Sequence, residues 1–345
     1  MKQIISTALI YCGTVFGAGF ASGQEIASFF ASNHLLGVVA SAVSGLLFSF
    51  FGGVICYDGA KYNLNNSGEY FKHLYPSRIS SLLGIIVTSF LAVSFCIMIA
   101  GCGELFYEQF FLRPVFGALL SLALCYKIIK NKVSGLAFLN KLVTPIMILG
   151  TLLLCVLIIM GRGNAQVILR PELFKNSVFS GILYISYNCA VSAPVLISCA
   201  AKATTRKNAM AGGVLGGIII AILLFLLSFV LALFPESWAS ELPFFFLSGN
   251  VFPVLKPFCA FVLYFAMITT AASSGVSVLS QVKSERASIT LIGLCGAAFF
   301  SSFISFGALV KTMYTAFGVS GLILIFGILK QFFRKSKKTV LKERN

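Results

Sequence analysis

Ten apolar stretches, 18 to 30 residues each, divide this chain and leave it little choice of fold. They cover residues 4–30, 35–57, 81–107, 109–126, 142–160, 177–201, 208–234, 253–282, 287–306 and 308–329. A helix of about 20 residues reaches about 30 Å, the thickness of a bilayer's hydrocarbon core. Inside hydrocarbon every backbone N–H and C=O must be satisfied by the protein, which favours helices for spans of this length. With 58% hydrophobic and only 10% charged residues in 345, the composition fits no soluble domain. The expectation is an all-α polytopic membrane protein with ten transmembrane helices. A single transmembrane domain would cover 1–330, and a basic cytoplasmic tail 331–345.

The net charge of +16 does not point to nucleic acid, because Lys and Arg fall between the apolar stretches and at the C-terminus. With a cytoplasmic start, 20 of the 26 lie inside, among them Lys2, Lys61, Lys72, Lys132, Lys141, Lys202 and the tail from Lys330. The outside keeps Arg113, Arg162, Arg170, Lys175, Lys256 and Lys311. This bias puts both termini in the cytoplasm of a multi-pass cell-membrane protein. The tail, with Arg334, Lys335, Lys337, Lys338, Lys342 and Arg344, reads as a topology anchor. Trp238, beside Pro235, reads as an interfacial anchor. Ten Cys, among them Cys12, Cys96, Cys155, Cys189 and Cys259, sit mostly inside apolar runs and form no CxxC pair. Both histidines, His34 and His73, fall in connections. The thiols therefore read as small packing residues, with no disulfide framework, metal centre or cofactor expected.

Residues 13–25 read Gly-Thr-Val-Phe-Gly-Ala-Gly-Phe-Ala-Ser-Gly-Gln-Glu, in the middle of the first apolar stretch. Each glycine weakens a helix, and the centre of a span is the costliest place to do so. Broken helix in hydrocarbon is tolerated only where freed N–H and C=O groups meet protein, water or ligand. Gly13, Gly17, Gly19 and Gly23 also fit close helix packing, so the motif alone leaves both readings open. The opening run could also outline a cleaved leader, with Lys2 ahead of it and small residues at Ala18 and Ala21. The pairing of halves argues against cleavage. Residues 4–160 and 177–330 each carry five stretches, so the second half enters from the opposite face. In each half the longest connection follows the second stretch. Each half also opens with a weakened helix, the second because Pro194 predicts a kink or break near 188–193. Paired interruptions in two inverted halves are the sequence pointer to a transport site.

The string from Gly17 to Glu25, with the weakened sixth stretch, resembles the YkvI-type bacterial amino-acid permeases of the amino acid–polyamine–organocation superfamily. The resemblance covers nearly the whole chain. It implies the LeuT-type fold, a five-plus-five inverted repeat with helices 1 and 6 interrupted, and transport of a small solute.

Residue by residue, an outer half-helix is expected to start near residues 20–22. Its N–H groups, with those of Ala18 and Gly19, would hold a carboxylate without an arginine. Gly17, Gly19, Phe20, Ser22 and Gly23 would line that site. Tyr184, Tyr187, Asn188 and Ser192 would face it, although such groups equally serve bonding between helices. The resemblance implies a sodium site at the carbonyls of Gly13, Phe16 and Thr270 and the hydroxyls of Ser273 and Ser274. Thr270, Ser273 and Ser274 share one helix face, as they would in plain close packing. Glu25 and Glu104 are coupling candidates, since a carboxyl within a membrane is costly and marks function by default. No buried Lys occurs in the fifth stretch, which tilts the reading from H+ toward Na+. Nothing matches a Walker loop, an HExxH zinc motif or a serine triad, so no enzyme is expected. The reading is a secondary symporter of an amino-acid-like solute, Na+-coupled or alternatively H+-coupled, working in a lipid bilayer without nucleic acid. Its rival is a non-transporting ligand receptor on the same fold. Oligomeric state is left open.

Overall fold

The computed structural model describes residues 1–130, 136–161, 166–251 and 253–343. Lys132, Arg162 and Arg344, counted above for topology, lie outside them. Among the described residues the chain is helical, with no strand.

The first apolar stretch is three helices: α1 (Lys2–Val15), α2 (Ala18–Ala21) and α3 (Gln24–Phe29). A 3-10 turn at Ala31–Asn33 leads into α4 (His34–Lys61), and a short α5 (Ser67–Leu74) precedes α6 (Ser77–Phe110). Then come α7 (Pro114–Lys130), α8 (Leu136–Met160), α9 (Phe174–Ala201) and α10 (Arg206–Leu233). After α11 (Pro243–Val251) follow α12 (Lys256–Leu279), α13 (Ala287–Ser301) and α14 (Phe306–Leu309). A π-helical turn, Val310–Tyr314, joins α14 to α15 (Thr315–Glu343). Among the described residues seven stretches are long and apolar enough to cross a membrane: Gln24–Lys61, Ser77–Phe110, Val143–Met160, Pro171–Ala201, Arg206–Leu233, Lys256–Leu279 and Phe306–Arg334. α1, α7 and α13 are shorter, at 14, 17 and 15 residues.

Local chemistry sets several boundaries. Asn66 caps α5 by accepting from Glu69 N at 2.9 Å, while its own amide donates to Glu69 Oε1 at 2.9 Å. Thr205 caps α10 through Asn208 N at 3.1 Å, and Pro114 opens α7, where no N–H is needed.

Two groups of helices pack by close backbone approach. In the first, α4 and α10 lie together with Gly45 against Ala221, Gly213 against Gly52 and Gly217 against the Ser49 backbone. Gly212 and Gly216 open the neighbouring face of α10 to Thr7 and Tyr11 of α1, and α9 packs on α4. Small residues permit this approach, which in lipid replaces hydrophobic burial as the source of cohesion. The second group is α6, α7, α12 and α13, with Ile129 of α7 seated on Gly275 of α12. α2 touches α12 and α6, so the broken stretch lies where the two groups meet.

Several expectations need correction. α9 is one uninterrupted helix from Phe174 to Ala201 with Pro194 inside it. The proline removes one donor, the N–H that would meet Ala190 O; elsewhere in the helix Asn188 Nδ2 donates to Tyr184 O at 2.9 Å and Ser192 Oγ to Asn188 O at 2.7 Å. α15 presses Gly318 and Gly321 onto Leu183 and Ser186, so tertiary packing holds α9 in register. The histidines are not in loops: His34 begins α4 and His73 lies in α5. α15 runs on to Glu343, into the basic stretch that begins at residue 331. Trp238 is half-buried; its indole N–H donates to Leu231 O at 2.8 Å and its ring meets His34.

Candidate functional site

The break in the first stretch is double. α1 ends where Phe16 leaves helical geometry at φ −79°, ψ 50°. One helical turn, α2, follows, and the chain turns again at Ser22–Gly23 before α3. Gly23 has φ 84°, a left-handed conformation that costs other L-residues about 1–2 kcal/mol. Phe244 of α11 explains the demand. Its N–H donates to Ser22 O at 2.8 Å, and a Cβ on Gly23 would stand 2.9 Å from Phe244 N. The Ser22 hydroxyl donates to Gly19 O at 3.0 Å and accepts from Gln24 N at 3.3 Å. Phe16 and Phe20, both buried, bridge the first interruption with ring centroids 4.0 Å apart. The expected half-helix start at residues 20–22 therefore falls on the end of α2 and the second turn. The competing demand was the bond to α11, which needs the Ser22 carbonyl free.

The second turn sends Glu25 inward. Glu25 is 4% exposed, and Tyr187 Oη of α9 donates to its Oε2 at 2.7 Å. A Cβ on Gly19 would collide with Glu25 Oε1. The carboxylate resting on the glycine of the break is thus the protein's own. Aromatic rings close around it. Tyr187 lies 5.9 Å from Phe29, 5.7 Å from Phe90, 5.4 Å from Tyr184 and 5.0 Å from Tyr314, centroid to centroid. Tyr184 is fully buried and its hydroxyl has no hydrogen-bond partner; the Ser186 hydroxyl is in the same condition. Tyr314 is supplied by the π-helical turn, a local widening that recurs at functional positions. Asn188 and Ser192 are buried too, but their polar atoms bond within α9 as described above.

Of the sequence-predicted residues, Gly19, Glu25, Tyr184 and Tyr187 come together. Gly17 stands next to α12, where the Thr270 methyl would lie 3.9 Å from a Cβ on Gly17. Ser274 is buried and Ser273 half-buried on the same helix, with Ser273 O accepting from Ser277 Oγ at 2.8 Å. Gly13 packs on α8, a Cβ there falling 2.7 Å from Thr144 Oγ1. Ala18 lies in α2 between Gly17 and Gly19. Glu104, half-buried on α6, has Glu241 and Glu108 as its charged neighbours and is not part of the Glu25 cluster. No group of three or more His, Cys, Asp or Glu able to hold a metal occurs among the described residues.

Sequence reading missed Phe29, Phe90 and Tyr314, which supply most of the ring surface. Aromatic residues are too frequent in this chain, 14% of it, for three more to stand out. It also missed the cap over the break. α11 bonds to the break through Phe244, and Glu241 Oε2 accepts from Gly307 N of α14 at 2.5 Å, with Gln24 packed beside Gly307.

No family model matches the chain. It is similar to the uncharacterized membrane protein YkvI of Bacillus subtilis, 23% identical over 330 residues that cover 93% of this chain and 94% of that protein. Among solved structures it is similar to Mhp1 in an inward-facing conformation, with a TM-score of 0.57 and 14% identity over 92% of this chain and 73% of that one. A manganese transporter of Eremococcus coleocola aligns at a TM-score of 0.48 and 14% identity over 99% of this chain and 72% of that one. The likeness to Mhp1 shows the LeuT-type fold.

Proposed function

We propose that this chain, a multi-pass membrane protein of the LeuT-type fold, is a secondary transporter of a small amino-acid-like solute. One observation carries the reading: the first apolar stretch is broken twice, and the break faces buried polar side chains of α9 where the two helix groups meet. Freed backbone groups inside a membrane must be completed by something, and a solute that completes them in turn from either side is a transported one. The ten apolar stretches act as ten spans in two inverted halves, 4–160 and 177–330, with both termini in the cytoplasm of the cell membrane. Alternating access is a rocking of α1, α4, α9 and α10 against α6, α7, α12 and α13. Gly17, Ala18, Gly19, Phe20, Ser22 and Gly23 line the site from the break, and Tyr184, Tyr187, Asn188 and Ser192 from α9.

Sodium is the coupling ion in this reading. The proximity of Gly17 to Thr270 supports it, since it brings α12 to the break beside Gly13 and Phe16. Carbonyl and hydroxyl oxygens at Gly13, Phe16, Thr270, Ser273 and Ser274 suit a hard cation. The buried Glu25 favours a second reading, in which a proton replaces sodium.

The test is reconstitution of the purified full chain in liposomes with radiolabelled amino acids and an imposed Na+ gradient. Accumulation that collapses with the gradient is the expected result. Saturable binding without uptake in any gradient would overturn the transporter reading and leave a receptor. Uptake driven by a pH gradient alone would remove sodium from it. Replacing Ser273 and Ser274 together by Ala should abolish Na+ dependence at unchanged expression.

A further inference from the structure

A carboxylate, three phenols and several ring faces, but no cation, make an unusual interior. Glu25 enters it from α3, Phe90 from α6, Tyr184 and Tyr187 from α9, and Tyr314 from the π-helical turn. A buried carboxylate is costly unless paired, and burial in lipid raises the cost. Among the described residues no Lys, Arg or His faces Glu25, and its one hydrogen bond comes from Tyr187 Oη at 2.7 Å. The other oxygen, Oε1, rests against Gly19, in the space a side chain there would fill. The fully buried Tyr184 hydroxyl is still without a partner. The carboxyl therefore has one hydrogen-bonded oxygen and no cation beside it among the described residues, and the Tyr184 oxygen nearby has no donor.

We infer that this interior receives the protonated amine of the transported solute: an ammonium bonded to Glu25 and Tyr184, with the rings of Tyr187, Phe29 and Tyr314 around it. The inference rests on the transporter reading and deepens it by naming the end of the solute that is recognised. An ammonium brings three donors and a positive charge, enough to complete Glu25 Oε1 and the Tyr184 oxygen and to balance the carboxylate. Aromatic faces attract cations, more strongly away from water. A carboxylate placed against Gly19 would instead meet the charge of Glu25, and like charges in low dielectric repel strongly. The arrangement therefore selects amines, alone or in zwitterions, and rejects solutes that carry a carboxylate only.

The experiment uses the full chain in detergent micelles and reads the ligand-induced shift of its thermal unfolding midpoint. The probes are phenethylamine and putrescine, which lack carboxylates, 3-phenylpropionate and succinate, which lack amines, and phenylalanine as a zwitterion. Amines and the zwitterion should raise the midpoint saturably with apparent Kd near or below about 1 mM, and the carboxylates should not. Glu25→Gln should weaken amine binding by about tenfold or more, and Tyr184→Phe by a smaller factor at unchanged unfolding midpoint without ligand. Should Glu25→Gln fail to fold, Tyr184→Phe together with the probe selectivity carries the test. The inference is overturned if carboxylate-only probes bind, if no amine binds, or if amines bind equally well to Glu25→Gln. It is also overturned if that variant loses only pH-driven uptake, since Glu25 would then carry a proton and not the solute. Amine binding to a protein that accumulates nothing in liposomes would instead remove transport and leave this site standing.

Discussion

Gly23 and Glu25 stand two positions apart and divide the labour of one turn. Gly23 supplies the left-handed backbone, and Glu25 uses the new direction to enter the interior. Gly23→Ala should cost about 1–2 kcal/mol from backbone strain alone, with the collision against Phe244 added. The check is a lower thermal midpoint in detergent; an unchanged midpoint would mean the turn is not held as described. Tyr184 and Tyr187 give a paired prediction. Tyr187→Phe removes the only hydrogen bond to Glu25 among the described residues and should destabilise by about 1–3 kcal/mol. Tyr184→Phe removes a hydroxyl that has no partner, so its stability should match the parent or exceed it slightly. Equal losses in the two variants would contradict the assignment. Each of these residues could be singled out from sequence by its type and neighbourhood. That Glu25 would reach Tyr187, 162 positions away, could not.

At the scale of helices, α9 is the instructive element. A proline in the middle of a span led to an expected break, but the helix runs on, with α15 clamped against it at Leu183 and Ser186. Pro194→Ala would restore one backbone donor and should raise the thermal midpoint, since an interior proline costs about 3 kcal/mol. A lower midpoint would show that the packing is shaped to the proline. The glycines separate just as clearly. Gly217 faces the Ser49 backbone, whereas Gly293 has nothing within 4 Å of a Cβ. Gly217→Leu should abolish a monodisperse peak in size-exclusion chromatography. Gly293→Ala should leave that peak intact and stabilise by about 0.5–1 kcal/mol through helix propensity. In the sequence both are simply glycines within apolar stretches; only the neighbour across the interface distinguishes them.

For the molecule as a whole, the distribution of Lys and Arg carries the orientation, and a C-terminal protease site tests it. Cleavage should occur in inside-out membrane vesicles and not in right-side-out ones; the reverse would invert both termini. The apolar runs alone determined that this chain is helical and lies in a membrane, because hydrocarbon tolerates no unpaired backbone over such lengths. The same constraint, applied to a glycine cluster, located the interruption of the first stretch. Tertiary structure decided what that interruption does. It placed a second turn at Gly23 to meet α11, kept α9 whole despite its proline, and seated the Glu25 carboxylate against Gly19. Those outcomes depend on contacts between distant segments, whose energies rival local preferences, and no pattern along the chain records which partner will arrive.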